Sequence, residues 1–314
     1  MLARSGQALR RPLRVSVIVP ATTANLGAGC DCFGLALSLY NTISVEITGA
    51  GLEVSVSGEG ADSLPHDDGN MVLQAARKLW DEVSFPVPAG LKITLKNEIP
   101  VSAGMGSSAA AIVGGMTAAN ALAGNTLAAD DILNLSARFE GHPDNVAAAV
   151  HGGSVVAVAD GSGVVTLKLP VPGVIKAVVA APDFALATIQ ARMALPDVYP
   201  REDALFNLGR AALLAGAFAS GRYELLRYGM QDRLHQPYRA PLVNGLGEVL
   251  AAAVDAGALG AALSGAGPAV VALTDGATGD IAKAMVNAFE TAGVGARIFE
   301  LVADNEGARV SVTY

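Results

Sequence analysis

The stretch that most restricts this chain is Pro100-Val101-Ser102-Ala103-Gly104-Met105-Gly106-Ser107-Ser108, which runs straight into the small apolar segment Ala109-Ala110-Ala111. Glycine visits positive φ without steric cost and lets backbone approach a ligand closely. A helix beginning at the serines leaves its first N–H groups without intrahelical partners and concentrates partial positive charge there. Such a turn is an anion cradle, and Ser107 and Ser108 add hydroxyls suited to phosphate oxygens or to a hard cation such as Mg²⁺. The same residues also suit a tight turn with a serine cap on a buried helix. Neither G-x-x-x-x-G-K-[ST] nor G-x-G-x-x-G occurs in the stretch, so it is neither a Walker A loop nor a dinucleotide fingerprint.

A length of 314 residues suits two units with sizeable cores, and 52% hydrophobic against 16% charged residues excludes a disordered or fibrous chain. The net charge of −8 and the lack of a Lys/Arg stripe argue against nucleic acid as the main partner. Cys30 and Cys32 are the only cysteines, too few for a disulfide framework or a four-ligand zinc site. They read as small buried residues in a reducing cytoplasm. Residues 1–13 carry arginines without the apolar run of a secretory signal and read as a disordered basic tail. The most apolar region, 249–273, is broken by Asp255, four glycines and Pro268, so it reads as helix, turn and strand rather than a membrane span.

Along the chain, a β-branched strand over 14–19 leads into a polar, glycine-punctuated loop over 21–34, in which Asn25 and Asp31 are candidate ligand groups or local turn formers. Two strands, 42–48 and 52–57, read as a hairpin around Gly49-Ala50-Gly51. Asn70 opens an amphipathic helix, as its N-cap or as a nucleotide-base contact. Strand 91–96 delivers the chain to the Gly/Ser turn, and 108–123 is small and apolar all round, which marks a central buried helix. A further helix, capped by Thr126, Asp130 and Asp131, ends near Glu140. The polar run Glu140-Gly141-His142-Pro143-Asp144-Asn145 follows, and Glu140 is either a Mg²⁺ ligand beside a serine or a solvated last-turn glutamate. His142 and His151 lack a third ligand at metal spacing and read as structural.

Pro170-Val171-Pro172-Gly173 divides the chain into 14–170 and 171–314. In the second part, Thr188 and Arg192 share a helix face four residues apart and suit a small acidic substrate. Arg239 lies on a later polar loop, and Ser264-Gly265-Ala266-Gly267-Pro268 forms a second glycine-rich turn within repeated β-α-β units. The fold class is α+β.

Three glycine-rich stretches thus occur in order: PATTANLGAGCDCFG, PVSAGMGSSAAA and LSGAGPAVV. Together they resemble the three motifs of the GHMP kinase superfamily, with the likeness extending from about residue 14 to 310. Within it, the first loop and EGHPDN followed by HGG are most similar to the homoserine kinase branch. The resemblance implies an N-terminal unit like the second domain of ribosomal protein S5 and a ferredoxin-like C-terminal unit. It implies ATP and Mg²⁺, phosphorylation of the homoserine hydroxyl for threonine biosynthesis, a cytoplasmic enzyme without nucleic-acid or membrane partners, and a homodimer as the family's habit. Other small alcohols of the superfamily, such as mevalonate or a diphosphocytidyl sugar alcohol, and a non-catalytic sensor remain open.

By the same resemblance, Pro100, Ser102, Gly104, Met105, Gly106, Ser107 and Ser108 wrap the phosphates, Asn70 lies near the adenine, and Gly265 and Gly267 support the site. Ser108 and Glu140 hold Mg²⁺. Asn25, Asp31, Asn145, Thr188, Arg192 and Arg239 contact homoserine, with Asp31 toward the amino group and the arginines toward the carboxylate. Related kinases carry an aspartate where Asn145 stands. Asn145 cannot act as base, so alignment and charge neutralisation by Asn145, Ser108, Glu140 and Arg192 are expected to carry catalysis.

Overall fold

The computed structural model describes residues 13–313, so the basic tail expected over 1–13 lies outside the described residues except for Leu13. Strands β1 (Arg14–Asn25) and β2 (Gly29–Thr48) are followed by β3 (Gly51–Gly58), helix α1 (Met71–Glu82) and β4 (Gly90–Asn97). Helices α2 (Ser107–Leu122), α3 (Ala129–Glu140) and α4 (Asp144–His151) come next, then β5 (Ser154–Ala159) and β6 (Val164–Leu169). The second half contains β7 (Lys176–Pro182), α5 (Thr188–Met193), α6 (Arg201–Ser220), α7 (Leu226–Gly229), α8 (Gln236–Arg239) and α9 (Leu246–Asp255). It closes with β8 (Gly260–Leu263), β9 (Val270–Thr274), α10 (Gly279–Thr291), β10 (Ala296–Val302) and β11 (Arg309–Thr313).

Among the described residues two sheets form, one ordered β11-β1-β2-β4-β3 with β5 and β6 continuing from β2, the other β10-β7-β9-β8. The second order, with α9 and α10 packed on the sheet, is the ferredoxin-like arrangement. Region 249–273 resolves into α9, β8 and β9, and no helix among the described residues is long and apolar enough to cross a membrane.

Helix α2 lies at the centre of the first unit because its residues are small. A Cβ on Gly114 would sit 2.1 Å from the Ile43 side chain of β2, and one on Gly115 would sit 2.4 Å from the Val72 carbonyl of α1. These contacts bring α2 against both neighbours. Trp80 of α1 is fully buried beside it and donates from its indole nitrogen to the Ala119 carbonyl at 3.0 Å. Each large apolar side chain buried in this core contributes about 1.5–3 kcal/mol.

Three local expectations are corrected. The strands around Gly49-Ala50-Gly51 are not a hairpin: β4 lies between them, antiparallel to β2 and parallel to β3. Leu91, Ile93 and Leu95 give β4 a buried face, whereas β3 buries only Val54 and so occupies the edge. The long loop expected over 21–34 is mostly strand. β1 continues to Asn25 and pairs through Ala24 opposite Gly34, with register shifts at Pro20/Ala21 and Ala24/Asn25. Its buried Thr22 and Thr23 stand opposite Ala36 and Leu35 of β2, a pairing that the polar composition did not suggest. The N-cap of α3 is Ala128, whose N–H is taken by Asp131 at 3.0 Å, while Thr126 belongs to the preceding turn held by Asn120.

β11 also crosses the division drawn at residue 170. It pairs antiparallel with β1, from Arg14 opposite Thr313 to Ile18 opposite Arg309.

Candidate active site

A cavity of about 420 Å³ opens where the Gly/Ser turn, the β1–β2 turn, the start of α4, helix α5 and the second glycine-rich turn meet. At its centre is the N-terminus of α2. Gly104 (φ 80°) and Gly106 (φ 71°) are left-handed, and Gly106 caps the helix without any side-chain hydrogen bond. A Cβ on Gly106 would fall 1.9 Å from Thr22 Oγ1, and one on Gly104 2.3 Å from the Ser264 carbonyl, so glycine is required at both positions. Ser107 and Ser108 line the cavity just beyond.

Ser108 Oγ donates to Glu140 Oε1 at 2.5 Å. The last turn of α3 thus presents a carboxylate to the first turn of α2, and the two oxygens suit a hard cation that keeps water and phosphate oxygens as its remaining ligands. Among the described residues no group of three or more His, Cys, Asp and Glu is placed to hold a metal ion.

Beyond Glu140 the chain enters helix α4 rather than a loop, because Gly141 at φ 93° ends α3 and Pro143 stands just before the new helix. Asp144, fully buried, accepts from the Asn145 N–H at 2.8 Å and from His142 Nδ1 at 2.8 Å. Burial alone would lower the His142 pKa, but the bond to Asp144 and the charges of Asp144 and Glu140 raise it overall. Asn145 Oδ1 accepts from Thr22 Oγ1 at 2.8 Å, which fixes the amide against β1.

At the opposite side Asp31 and Arg192 form a two-pronged ion pair, with Arg192 Nη2 to Asp31 Oδ1 at 2.8 Å and Nη1 to Oδ2 at 3.1 Å. Asp31 is held at φ 56°, and its N–H donates to Asn25 Oδ1 at 2.9 Å. Asn25 in turn donates to the Gly265 carbonyl at 2.8 Å, which joins the first and third glycine-rich stretches. Ser264 Oγ lies 2.6 Å from the Gly104 carbonyl and 2.8 Å from Thr23 Oγ1, so all three stretches meet in one hydrogen-bonded cluster.

Arg239 is 2% exposed. Its Nε donates to the Ala191 carbonyl at 3.2 Å and its Nη1 to the Gly265 carbonyl at 3.0 Å, yet no described carboxylate comes within ion-pair distance. Burial accordingly lowers its pKa. A buried guanidinium bordering a cavity without an anion of its own is a ready carboxylate receptor.

Every candidate residue named from the sequence lines this cavity except Pro100 and Met105. Both are buried behind its wall, Met105 in the core of the first unit, because the chain passes beneath the turn at those positions. Asn70 caps α1 by accepting from the Val72 N–H at 3.1 Å and donates to the Pro65 carbonyl, while also facing the cavity. Thr188 lies at the first turn of α5, beside the cavity and four residues before Arg192. The sequence reading missed Thr22, Asp144 and the cavity-facing role of His142. The hexapeptide Glu140 to Asn145 carried a signal for the last two, since it alternates turn formers with polar groups. Cys30 and Cys32 are free and half-buried, and burial followed by the Asp31 charge pushes the Cys30 thiol up to about 12, so it is unreactive.

Residues 70–153 match the model of the GHMP kinases N-terminal domain, and residues 213–291 match that of the GHMP kinases C-terminal domain. The chain belongs to the GHMP kinase family. A homoserine kinase of Desulfitobacterium hafniense is 44% identical over 94% of this chain and 99% of its own length. Another, of Carboxydothermus hydrogenoformans, is 45% identical over 96% of this chain and 98% of that protein. Among solved structures, homoserine kinase from Cytophaga hutchinsonii superposes with a TM-score of 0.86 at 28% identity, covering 98% of this chain and all of that one. The L. major mevalonate kinase shares the fold at a TM-score of 0.69 and 17% identity, over 92% of this chain and 96% of that one.

Proposed function

We propose that the chain is an ATP-dependent homoserine kinase that transfers a phosphoryl group to the hydroxyl of L-homoserine, supplying O-phosphohomoserine to threonine biosynthesis. The observation that carries this reading is that one cavity combines an anion cradle with a paired Asp31–Arg192 and a buried, anion-free Arg239. A zwitterion complements that end. Its ammonium would compete for Asp31 and its carboxylate would take Arg192 and Arg239, whereas mevalonate has no ammonium to offer. Curated relatives at 44–45% identity over nearly the full chain support the choice.

The phosphates would rest on Gly104, Gly106, Ser107 and the free N–H groups of α2, with Asn70 toward the base and Gly265 and Gly267 closing the far wall. Ser108 and Glu140 are the residues that would hold Mg²⁺, which when bound neutralises charge on the phosphate oxygens. Asn145 and Thr188 would flank the reacting hydroxyl. Asn145 has no basic atom, and the Asp144 Oδ1 beside it is already engaged by the Asn145 N–H and His142 Nδ1. The hydroxyl therefore loses its proton late, to a phosphate oxygen or to water, and the chain contributes alignment and charge.

The test is ADP release by the purified chain with ATP and Mg²⁺ across a panel of L-homoserine, mevalonate and diphosphocytidyl-methylerythritol. Turnover is expected with L-homoserine. Turnover with mevalonate and none with L-homoserine would overturn the reading.

A further inference from the structure

Arg239 is held partly by His235, a fully buried side chain one helical turn earlier that the proposed reaction does not use. His235 Nε2 lies 2.8 Å from the Gly27 carbonyl, and His235 Nδ1 lies 3.3 Å from Arg239 Nη1. A carbonyl only accepts and a guanidinium only donates, so the ring is neutral with its proton on Nε2 and its lone pair on Nδ1. The ring thus bridges the β1–β2 turn, which carries Asn25 and leads into Asp31, to the guanidinium facing the substrate end of the cavity. Its backbone is fixed in turn: buried Asp232 accepts from the N–H groups of His235 at 3.0 Å and Gln236 at 2.7 Å, and from Asn207 Nδ2 at 2.8 Å.

We infer that His235 is a positioning residue for substrate selection, aiming Arg239 at the substrate carboxylate and tying that aim to the β1–β2 turn. Two backbone carbonyls hold Arg239 at Nε and Nη1, and His235 supplies a third point that stops the guanidinium plane from swinging. An arginine recognises a carboxylate through a rigid fork, so orientation as well as charge sets its discrimination. The inference rests on the homoserine kinase reading above.

The experiment compares wild type, His235→Leu and His235→Gln on L-homoserine and on 3-amino-1-propanol, which keeps the amine and hydroxyl but lacks the carboxylate. KM for ATP and thermal melting are measured alongside. For His235→Leu the preference for homoserine over the carboxylate-free alcohol is expected to fall at least tenfold through KM, with KM for ATP changed less than about threefold. His235→Gln, which keeps an acceptor for Arg239 and a donor for Gly27, restores most of the preference. If His235→Leu does not fold, His235→Asn, polar but too short to span both partners, is held to the same comparison. A discriminating wild type beside an equally discriminating Leu or Asn variant would overturn the inference alone. A wild type indifferent to the carboxylate would overturn both it and the reading of the site.

Discussion

Ser108 Oγ donates to Glu140 Oε1 across 2.5 Å, bringing the first turn of α2 against the last turn of α3 at the mouth of an uncapped helix. On the proposed reading, in which these two residues would hold Mg²⁺, Ser108→Ala and Glu140→Gln should each lower kcat about 10²–10³-fold. The double variant should lose little more than either single one, because the two act as a unit. Steady-state rates at saturating ATP check this. Strictly multiplicative losses would count against a shared metal site.

The Gly/Ser turn depends on backbone freedom at Gly106. Gly106→Ala forces an alanine to φ 71° and drives its Cβ to within 1.9 Å of Thr22 Oγ1. The expected cost is about 2 kcal/mol or more. Gly124 is also left-handed, at φ 97°, but has nothing within 4 Å, so Gly124→Ala should cost only about 1–2 kcal/mol. Urea unfolding of both variants separates conformational strain from collision. Equal losses would deny the Thr22 contact any role.

The Asp31–Arg192 pair is roughly 40% exposed on both sides, so its removal should barely alter stability, by less than about 1 kcal/mol. Its effect should fall on substrate. Asp31→Asn and Arg192→Lys are expected to raise KM for homoserine about tenfold or more while leaving KM for ATP unchanged. A matching rise in KM for ATP would move the pair away from the acceptor end.

The two histidines near the site should respond oppositely to pH. Burial opposes charge on His142, but the bond to Asp144 and the charges of Asp144 and Glu140 outweigh it, so its pKa is raised above the ordinary 6.5. The stability it contributes is full below pH 6.5 and is lost as pH rises through the raised value. The melting gap between wild type and His142→Gln should therefore be wider at pH 6 than at pH 9. For His235, burial lowers the pKa; Asp232 works against this, Arg239 reinforces it, and the Gly27 carbonyl and Asp31 also raise it. Its contribution is present above pH 6.5 and falls as the solution becomes more acidic. A His235→Gln protein should lose less stability than wild type between pH 7 and pH 5.

The sequence made the chemistry of the site legible where local rules determine it. Gly104 and Gly106 need positive φ, Ser108 and Glu140 are oxygen donors at facing helix ends, and the small residues of α2 announce a buried helix. It did not reveal contacts formed only on folding. Nothing local distinguishes a β2–β3 hairpin from β4 inserting between the two strands, since the turn residues are the same and the choice rests on β4 burying Leu91, Ile93 and Leu95 where β3 buries only Val54. Thr22 and Thr23 read as loop residues because their partners, Asn145 and Ser264, lie more than a hundred residues away. The Asp31–Arg192 pairing was hidden for the same reason: both residues were marked for substrate, but their mutual contact spans 161 positions.

β11 returns to β1 after the whole second sheet has been built, so the later unit is spliced into the earlier one rather than appended to it. A chain cut after residue 170 would leave the backbone groups of β1 on that side without their partner strand, an open edge prone to pairing with other molecules. During synthesis the first sheet must wait, one border unsealed, until the final strand has emerged from the ribosome.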